Sequence, residues 1–453
     1  VRLNLADQLR GALVSDSKGL ERARFSLGGA KPEIPDEAGI WVDGKLDAVD
    51  YAEIERFIAA LGSNNQASAK KSSGLTDTKL KQVDLLLSRF SAGSFDLNDV
   101  LISLKPEPSG WMLNAQSALL LGQLWLPDDA NLPYKVELQQ LTLNNDDSEA
   151  KSDSDIIPDV IDIDPQSIPS VDFSIAKLLM GDKKLGQWSF KLRPYDNDVR
   201  IEDIKGVIKG AEVLGQLRWV TGSTPFSDLT LKLNGKNFNE VLTSLDVTGI
   251  EMKSLDSYLQ LTWSNAPWAF ELGHADGELQ FTAKQGRILD VGKSGNILRV
   301  FGILNLQSLG RRLRLDFTDL VESGVAFDEM KASYTIKKGI AYTSSPFVMT
   351  GPSANMVMKG SLDLVNETVD KDIEVALPVT GSIPLVSVLL GAPQVAGAVF
   401  LFDKLIGDPL AKFTTVKYHL SGDWGDPSIV IDDGKATKPA NKTVPSVMDN
   451  DHG

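Results

Sequence analysis

Apolar residues recur at every second position in one short run after another. Leu231 and Leu233 form one such pair, and Leu259 and Leu261 with Trp263 form the next. Leu279 and Phe281 with Ala283 follow, then Leu313, Leu315 and Phe317, then Met356, Met358, Leu362 and Leu364. This is the period of an extended chain, whose successive side chains point to opposite faces, and not the 3.6-residue period of a helix. Between the runs stand turn residues: Ala275-Asp276-Gly277, Lys338-Gly339 and Thr350-Gly351-Pro352. The spacing predicts a mainly β protein in which each strand has one apolar face.

Helical spacing is scarce. Ile54, Phe57, Ile58 and Leu61 fall at i, i+3, i+4 and i+7, with Asp50 and Glu53 as a capping box. Phe238, Val241, Leu242 and Leu245 repeat that spacing after Asn237, and a further short helix is expected near 295–305. The first two are each expected to follow a strand ending in Gly-Lys, at Gly44-Lys45 and Gly235-Lys236. Two further pairs point to internal duplication. LLGQLWL at 120–126 resembles VLGQLRW at 213–219, and VDLLLSR at 83–89 resembles VDFSIAK at 171–177. Offsets of about 85–95 residues imply repeated blocks of strands, which favour an extended sheet over a compact globule.

The chain has 453 residues, too many for one ordinary compact domain, and 42% of them are hydrophobic, enough for a large core. A net charge of −15 excludes the basic footprint that nucleic acid requires. It also argues against electrostatic docking on anionic lipid, so any membrane contact should be apolar. With no Cys there are no disulfides, thiol nucleophiles or thiolate metal sites. The three histidines, His274, His419 and His452, have no metal-ligand spacing, and no phosphate-cradling glycine motif occurs. Carboxylate pairs such as Asp316 and Asp319 are expected in so acidic a chain. No catalytic residue, metal or cofactor is assigned, and the protein is not expected to be an enzyme.

Several segments depart from the strand pattern. Residues 144–164 carry eight acids but lack the Gly-containing loop and terminal Glu of a calcium-binding EF-hand, so they read as a solvated linker or loop. Arg311, Arg312 and Arg314 read as the solvated face of a strand, since Arg314 alternates with Leu313 and Leu315. Residues 432–453 are rich in Lys, Asp, Pro and Asn and are expected to be disordered. Residues 382–402, SIPLVSVLLGAPQVAGAVFLF, hold no charge in twenty-one positions. That is long enough to span a bilayer, but Pro384, Pro393, Gly391 and Gly397 break it, and lipid cannot replace the lost backbone bonds. Two short apolar helices meeting near Gly391-Ala392-Pro393 fit better. The resulting division is 1–143, groove strands with a short helix; 144–164, acidic linker; 165–380, groove strands; 381–407, apolar broken helix; 408–431, terminal strands; and 432–453, tail.

Three stretches resemble a known family. GRILDVGKSGNILRVFGILNLQSLGRRLRLDFTDLVESGVAFDEM at 286–330, GPSANMVMKGSLDLVNETVD at 351–370 and DPQSIPSVDFSIAKL at 164–178 are similar to the C-terminal region of the YhdP-type members of the AsmA-like proteins. The likeness covers most of the chain and is most specific from Gly273 to Pro427. It implies a long, curved, twisted β-sheet whose hollow side is an open apolar groove. It further implies a periplasmic portion of a Gram-negative envelope protein, anchored in the inner membrane by an N-terminal helix outside this sequence. The implied function is bridge-like transport of phospholipid between inner and outer membranes, without a nucleotide or catalytic residue in the groove. The alternative is a periplasmic scaffold for outer-membrane biogenesis with a filled core.

On that reading Leu231, Leu233, Leu259, Leu261, Leu279, Phe281, Leu313, Leu315, Phe317, Met356, Met358, Leu362 and Leu364 face the groove. Ile383, Leu385, Val388, Leu389, Leu390, Val399, Phe400, Leu401 and Leu405 are the candidate contacts with the inner leaflet of the outer membrane. The same apolar element has a second reading as a cap on the last groove strand.

Overall fold

The computed structural model describes residues 2–5, 9–16, 19–28, 31–50, 80–92, 95–143, 164–289, 325–352, 355–378, 413–423 and 427–431. They form one 22-stranded sheet in which each strand pairs with the next in sequence. The first four strands are β1 (Arg2–Leu5), β2 (Leu9–Asp16), β3 (Gly19–Leu27) and β4 (Gly39–Asp50). A meander follows: β5 (Leu80–Ala92), β6 (Phe95–Glu107), β7 (Gly110–Gln116), β8 (Leu120–Pro127) and β9 (Tyr134–Leu143). A second comprises β10 (Val171–Met180), β11 (Lys183–Pro194), β12 (Asp198–Ile208), β13 (Ala211–Val220) and β14 (Phe226–Lys236). After the helix α1 (Phe238–Ser244) come β15 (Ile250–Ser264), β16 (Ala275–Ile288), β17 (Val325–Lys337) and β18 (Ile340–Thr350). The sheet ends with β19 (Asn355–Asp363), β20 (Thr368–Pro378), β21 (Phe413–Asp423) and β22 (Ser428–Ile431).

All pairings are antiparallel except three: β3 with β4, β4 with β5, and β9 with β10. A parallel join needs a long connection to return the chain to its starting rim. In consequence β4, β9, β14, β16 and β20 all run the same way, so the long connections after them leave from one rim. The other rim carries shorter links, including a tight turn at Lys338 and Gly339, both with positive φ (48° and 75°), the geometry of a two-residue hairpin.

The repeats seen in the sequence occupy equivalent places. VDLLLSR lies in β5 and VDFSIAK in β10, each the first strand after a parallel join. LLGQLWL lies in β8 and VLGQLRW in β13, each the fourth strand of its block. Gly122 and Gly215 within them serve one purpose. A Cβ would stand 2.4 Å from Leu138 Cδ2 at the first and 2.5 Å from Leu231 Cδ2 at the second, so each glycine makes room for a leucine on the next strand.

Two expectations are corrected. Ala275-Asp276-Gly277 is not a turn but the start of β16, where Gly277 pairs with Leu261 and Ile336. Gly44-Lys45 does not end its strand, because β4 continues to Asp50 along β5. The expected helices at 52–61 and 295–305, the residues 144–163 of the acidic segment, and the tail lie outside the described residues. The expected helix after Asn237 is α1. Its Phe238, Val241 and Leu242 are buried on the sheet, with Phe238 lying over Gly235 and Ala211.

Candidate functional site

The register aligns apolar side chains across the strands. One transverse row passes through Leu85, Ile102, Ala115, Gly122, Leu138, Ile175 and Trp188, from β5 to β11. It continues through Gly206, Val213, Leu233, Ser257, Phe281 and Ala332 to β17, with Ser257 its one polar side chain. A second row has no polar member. It runs from Val171 through Leu192, Ile201, Leu217, Leu229 and Leu261 to Gly277, and onward through Ile336, Ala341 and Leu362 to Val369. Paired residues project to the same side of a sheet, so these rows form one continuous apolar face.

The opposite face is mostly polar, apart from a small buried cluster of Val348, Val357 and Ala376 and exposed leucines such as Leu101 and Leu214. Arg89 pairs with Asp96 at 2.6 Å, Lys191 with Asp203 at 2.7 Å, and Lys417 with Glu374 at 3.1 Å, and Arg193 pairs with Asp172. The hydrogen bonds from Arg89 and Lys191 draw Asp96 and Asp203 below the usual carboxylate range. Concavities on this side, such as one of about 750 Å³ bordered by Glu212, Lys232, Asp256 and Lys331, carry mixed charge and solvated groups. They are folds of a curved sheet and hold no catalytic constellation. Among the described residues, no three His, Asp or Glu side chains are grouped as metal ligands.

The apolar face has two sections. From β12 to β16 the face is partly open: Leu229, Leu231, Leu233, Leu255, Leu259, Leu279 and Phe281 all retain accessible surface, among buried Val213, Leu217, Met252 and Ala283. From β17 to β21 the face is filled, with Phe347 and Met358 at 0% exposure and Tyr334 and Leu420 at 1%. Leu231, Leu233, Leu259, Leu279 and Phe281, picked from the sequence, thus lie in the half-open section. Leu261 is buried there, Met356, Met358 and Leu362 lie in the filled section, and Leu364 packs against it. Leu313, Leu315, Phe317 and the whole set from Ile383 to Leu405 lie outside the described residues.

α1 packs at one end of the face, touching β11 as well as β15. An ion pair between Lys183 Nζ and Asp246 Oδ2 (3.2 Å) ties its end to β11. At the rim of β12 and β13, Asp198 accepts from Arg218 Nε at 2.6 Å and Arg200 Nε at 3.1 Å. Burial pushes its carboxyl up, but the two guanidinium bonds outweigh this and hold it below the ordinary value.

One buried side chain went unnoticed in the sequence. Lys371 on β20 projects into the apolar face at 0% exposure. Its Nζ donates to Tyr334 Oη at 3.3 Å and lies 5.2 Å from the Tyr334 ring centre. Burial pulls its ammonium down to about 7 and pushes the Tyr334 hydroxyl up. The alternation in VDKDIEV at 369–375 carries the signal: Val369, Ile373 and Val375 face inward, and Lys371 shares their phase.

The sequence model of the family described as YhdP protein matches residues 1–429. The chain belongs to the YhdP family. It is 25% identical over 412 residues to the intermembrane phospholipid transporter YhdP of Escherichia coli (strain K12), an alignment covering 88% of this chain. It spans 31% of that YhdP relative's length. No solved structure matches. No described helix is long and apolar enough to cross a membrane.

Proposed function

We propose that this chain is the outer-membrane-facing portion of a non-enzymatic conduit that carries phospholipid between the two membranes of a Gram-negative envelope. The observation that carries the reading is the long, largely apolar face, which no described second layer of strands covers. Its 22 strands make 21 steps of ~4.8 Å, so the sheet reaches on the order of 100 Å before twist and curvature shorten it. That is the scale of a bridge, not of a pocket. An acyl chain of ~15 methylenes gains ~12 kcal/mol on leaving water for such a surface, at ~0.8 kcal/mol per methylene. Burial is non-directional, so a tail slides from row to row without a large barrier, and direction comes from elsewhere. The E. coli relative's description as a phospholipid transporter supports the same reading. Residues 382–402 would deliver lipid to the inner leaflet of the outer membrane, and an anchor upstream of this sequence would hold the inner membrane.

The filled section from β17 to β21 favours a second reading, a scaffold for outer-membrane biogenesis whose interior is packed with protein. A photo-crosslinking amino acid separates the two. It would be placed in cells at Leu279, half-buried on the apolar face, and at Gln280, exposed on the polar face. Phospholipid attached at Leu279 and not at Gln280 is the expected result. Efficient incorporation with no lipid at Leu279 would reject the conduit in favour of the scaffold.

A further inference from the structure

The apolar face contains polar groups that nothing in a simple hydrocarbon track requires. Lys371 makes no ion pair among the described residues, and its one hydrogen bond is to Tyr334 Oη. The nearest acids along its strand, Asp370 and Asp372, have the opposite phase and face His419 at 3.6 and 2.9 Å on the polar side. Tyr418 on β21 pairs with Ile373, two residues from Lys371, and is 3% exposed. Among the described residues its buried hydroxyl has no hydrogen-bond partner. Lys371 and Tyr334 meet directly, the Tyr334 oxygen accepting from Lys371, and Tyr418, on the next strand and two residues along, adds a third buried donor to the same face. Among the described residues no acidic acceptor faces them, and a buried donor left without one is costly.

Position in the sheet says where that acceptor would come from. Tyr334 pairs with Leu279, which pairs with Leu259 and so with Leu231, all half-buried in the open section. The same row leads inward past Thr343 and Gly360 to Lys371. Gly360 presents no side chain, so the Lys371 stem passes over β19 toward Tyr334. The donors thus stand where the open section meets the filled one. Met349, Met356 and Met358 belong to the same buried cluster as Tyr334 and Tyr418, and such unbranched side chains repack readily around an incoming group.

We infer that Lys371, Tyr334 and Tyr418 form a station for an anionic oxygen head, namely the phosphate of a phospholipid whose tails lie in the groove. This rests on the lipid-carrying reading above. A phosphate offers several acceptor oxygens and a negative charge, the complement of one ammonium and two hydroxyls. Lipid passing from the open to the filled section would pause here, its head held while the tails advance. A fatty-acid carboxylate shares this chemistry, and the test distinguishes the two.

The experiment titrates the purified chain, as wild type, Lys371→Met and Tyr418→Phe, with fluorescent phosphatidylglycerol and with diacylglycerol carrying the same tails. A fluorescent fatty acid and its methyl ester form the second pair. Melting temperature is recorded in parallel, and Lys371→Met is expected to melt no lower than wild type. The expected result is phosphatidylglycerol binding about tenfold weaker or more in Lys371→Met, a smaller loss in Tyr418→Phe, and diacylglycerol unchanged in both. Equal effects on phosphatidylglycerol and diacylglycerol, or no effect on either, would overturn the station and leave the groove intact. Loss confined to the free fatty acid against its ester would overturn the phosphate assignment. Failure of every probe to bind wild type would instead remove the groove reading on which the station rests.

Discussion

Lys371 makes the folded chain sensitive to alkaline pH in a direction that can be worked out. Its proton affinity falls from an ordinary 10.5 to about 7 in the folded state, because burial penalises the ammonium. Between those values the unfolded chain holds the proton and the folded chain does not, so stability rises with pH across the window. One proton limits the slope to ~1.4 kcal/mol per pH unit, and the full window of about 3.5 units corresponds to on the order of 5 kcal/mol. The stabilisation is complete above the unfolded value and is lost as pH falls toward the folded one. Burial raises Tyr334 and Tyr418, so in the folded chain both stay protonated, and their proton loss in the unfolded chain, near an ordinary 10, opposes the gain only at the top of the window. From about pH 7 to pH 9.5 the local opening free energy of β19 to β21 should therefore climb by ~3 kcal/mol in wild type. Hydrogen exchange, converted to opening free energies, is the appropriate assay, because a sheet in which each strand touches only its neighbours need not unfold as one unit. Lys371→Met should flatten the slope and raise the opening free energy at pH 7 by several kcal/mol. An unchanged slope in Lys371→Met, or a loss of protection at pH 7, would refute the reasoning.

Two other substitutions test the packing. Gly235→Val should drive a side chain into the Phe238 ring, which a Cβ alone would meet at 2.4 Å, and cost ~1–3 kcal/mol in the protection of β14 and α1. Adding Phe238→Ala should recover part of that loss in a double-mutant cycle; strict additivity would show that the two residues do not meet. At the rim, Asp198→Ala should cost only ~1–2 kcal/mol, because Arg200 and Arg218 are half-exposed and return to water. Replacing both arginines by Met should cost ~3 kcal/mol or more and lift the Asp198 carboxyl, measurable by carbon NMR, since the buried acid is then unpaired. The opposite order of costs would reject this account of the cluster.

Much of this fold was legible because alternation is a local property. The runs containing Leu259 and Leu261, or Leu279 and Phe281, report strand and inward phase within a few residues. The duplications at VDLLLSR and LLGQLWL likewise survive in equivalent strands. Phase within a long strand was not legible. Asp99, Asp203 and Gln285 adopt positive φ inside β6, β12 and β16, and the inward face changes parity beside such positions. Met252 and Leu255 are both inward, as are Phe327 and Met330, three residues apart. No local residue type announces such a slip, whose position depends on the neighbouring strand. Register was equally hidden, so the continuity of the rows could be argued only as a need to cover apolar faces. Lys371 was missed for a different reason: flanked by Asp370 and Asp372, it resembles a solvated charge run, and only strict phase counting puts it inside.

The parallel joins bear on how such a sheet can grow. A block of five antiparallel strands begins and ends in the same direction, and a parallel join lets the next block start in that direction too. Successive blocks are then copies displaced along one axis, so duplicating the coding sequence of one block extends the span without inverting any strand. Each added hairpin contributes ~10 Å and leaves the later connections on the rims they already occupied. Span becomes an inherited count of modules, adjustable while the cross-section of the sheet stays fixed.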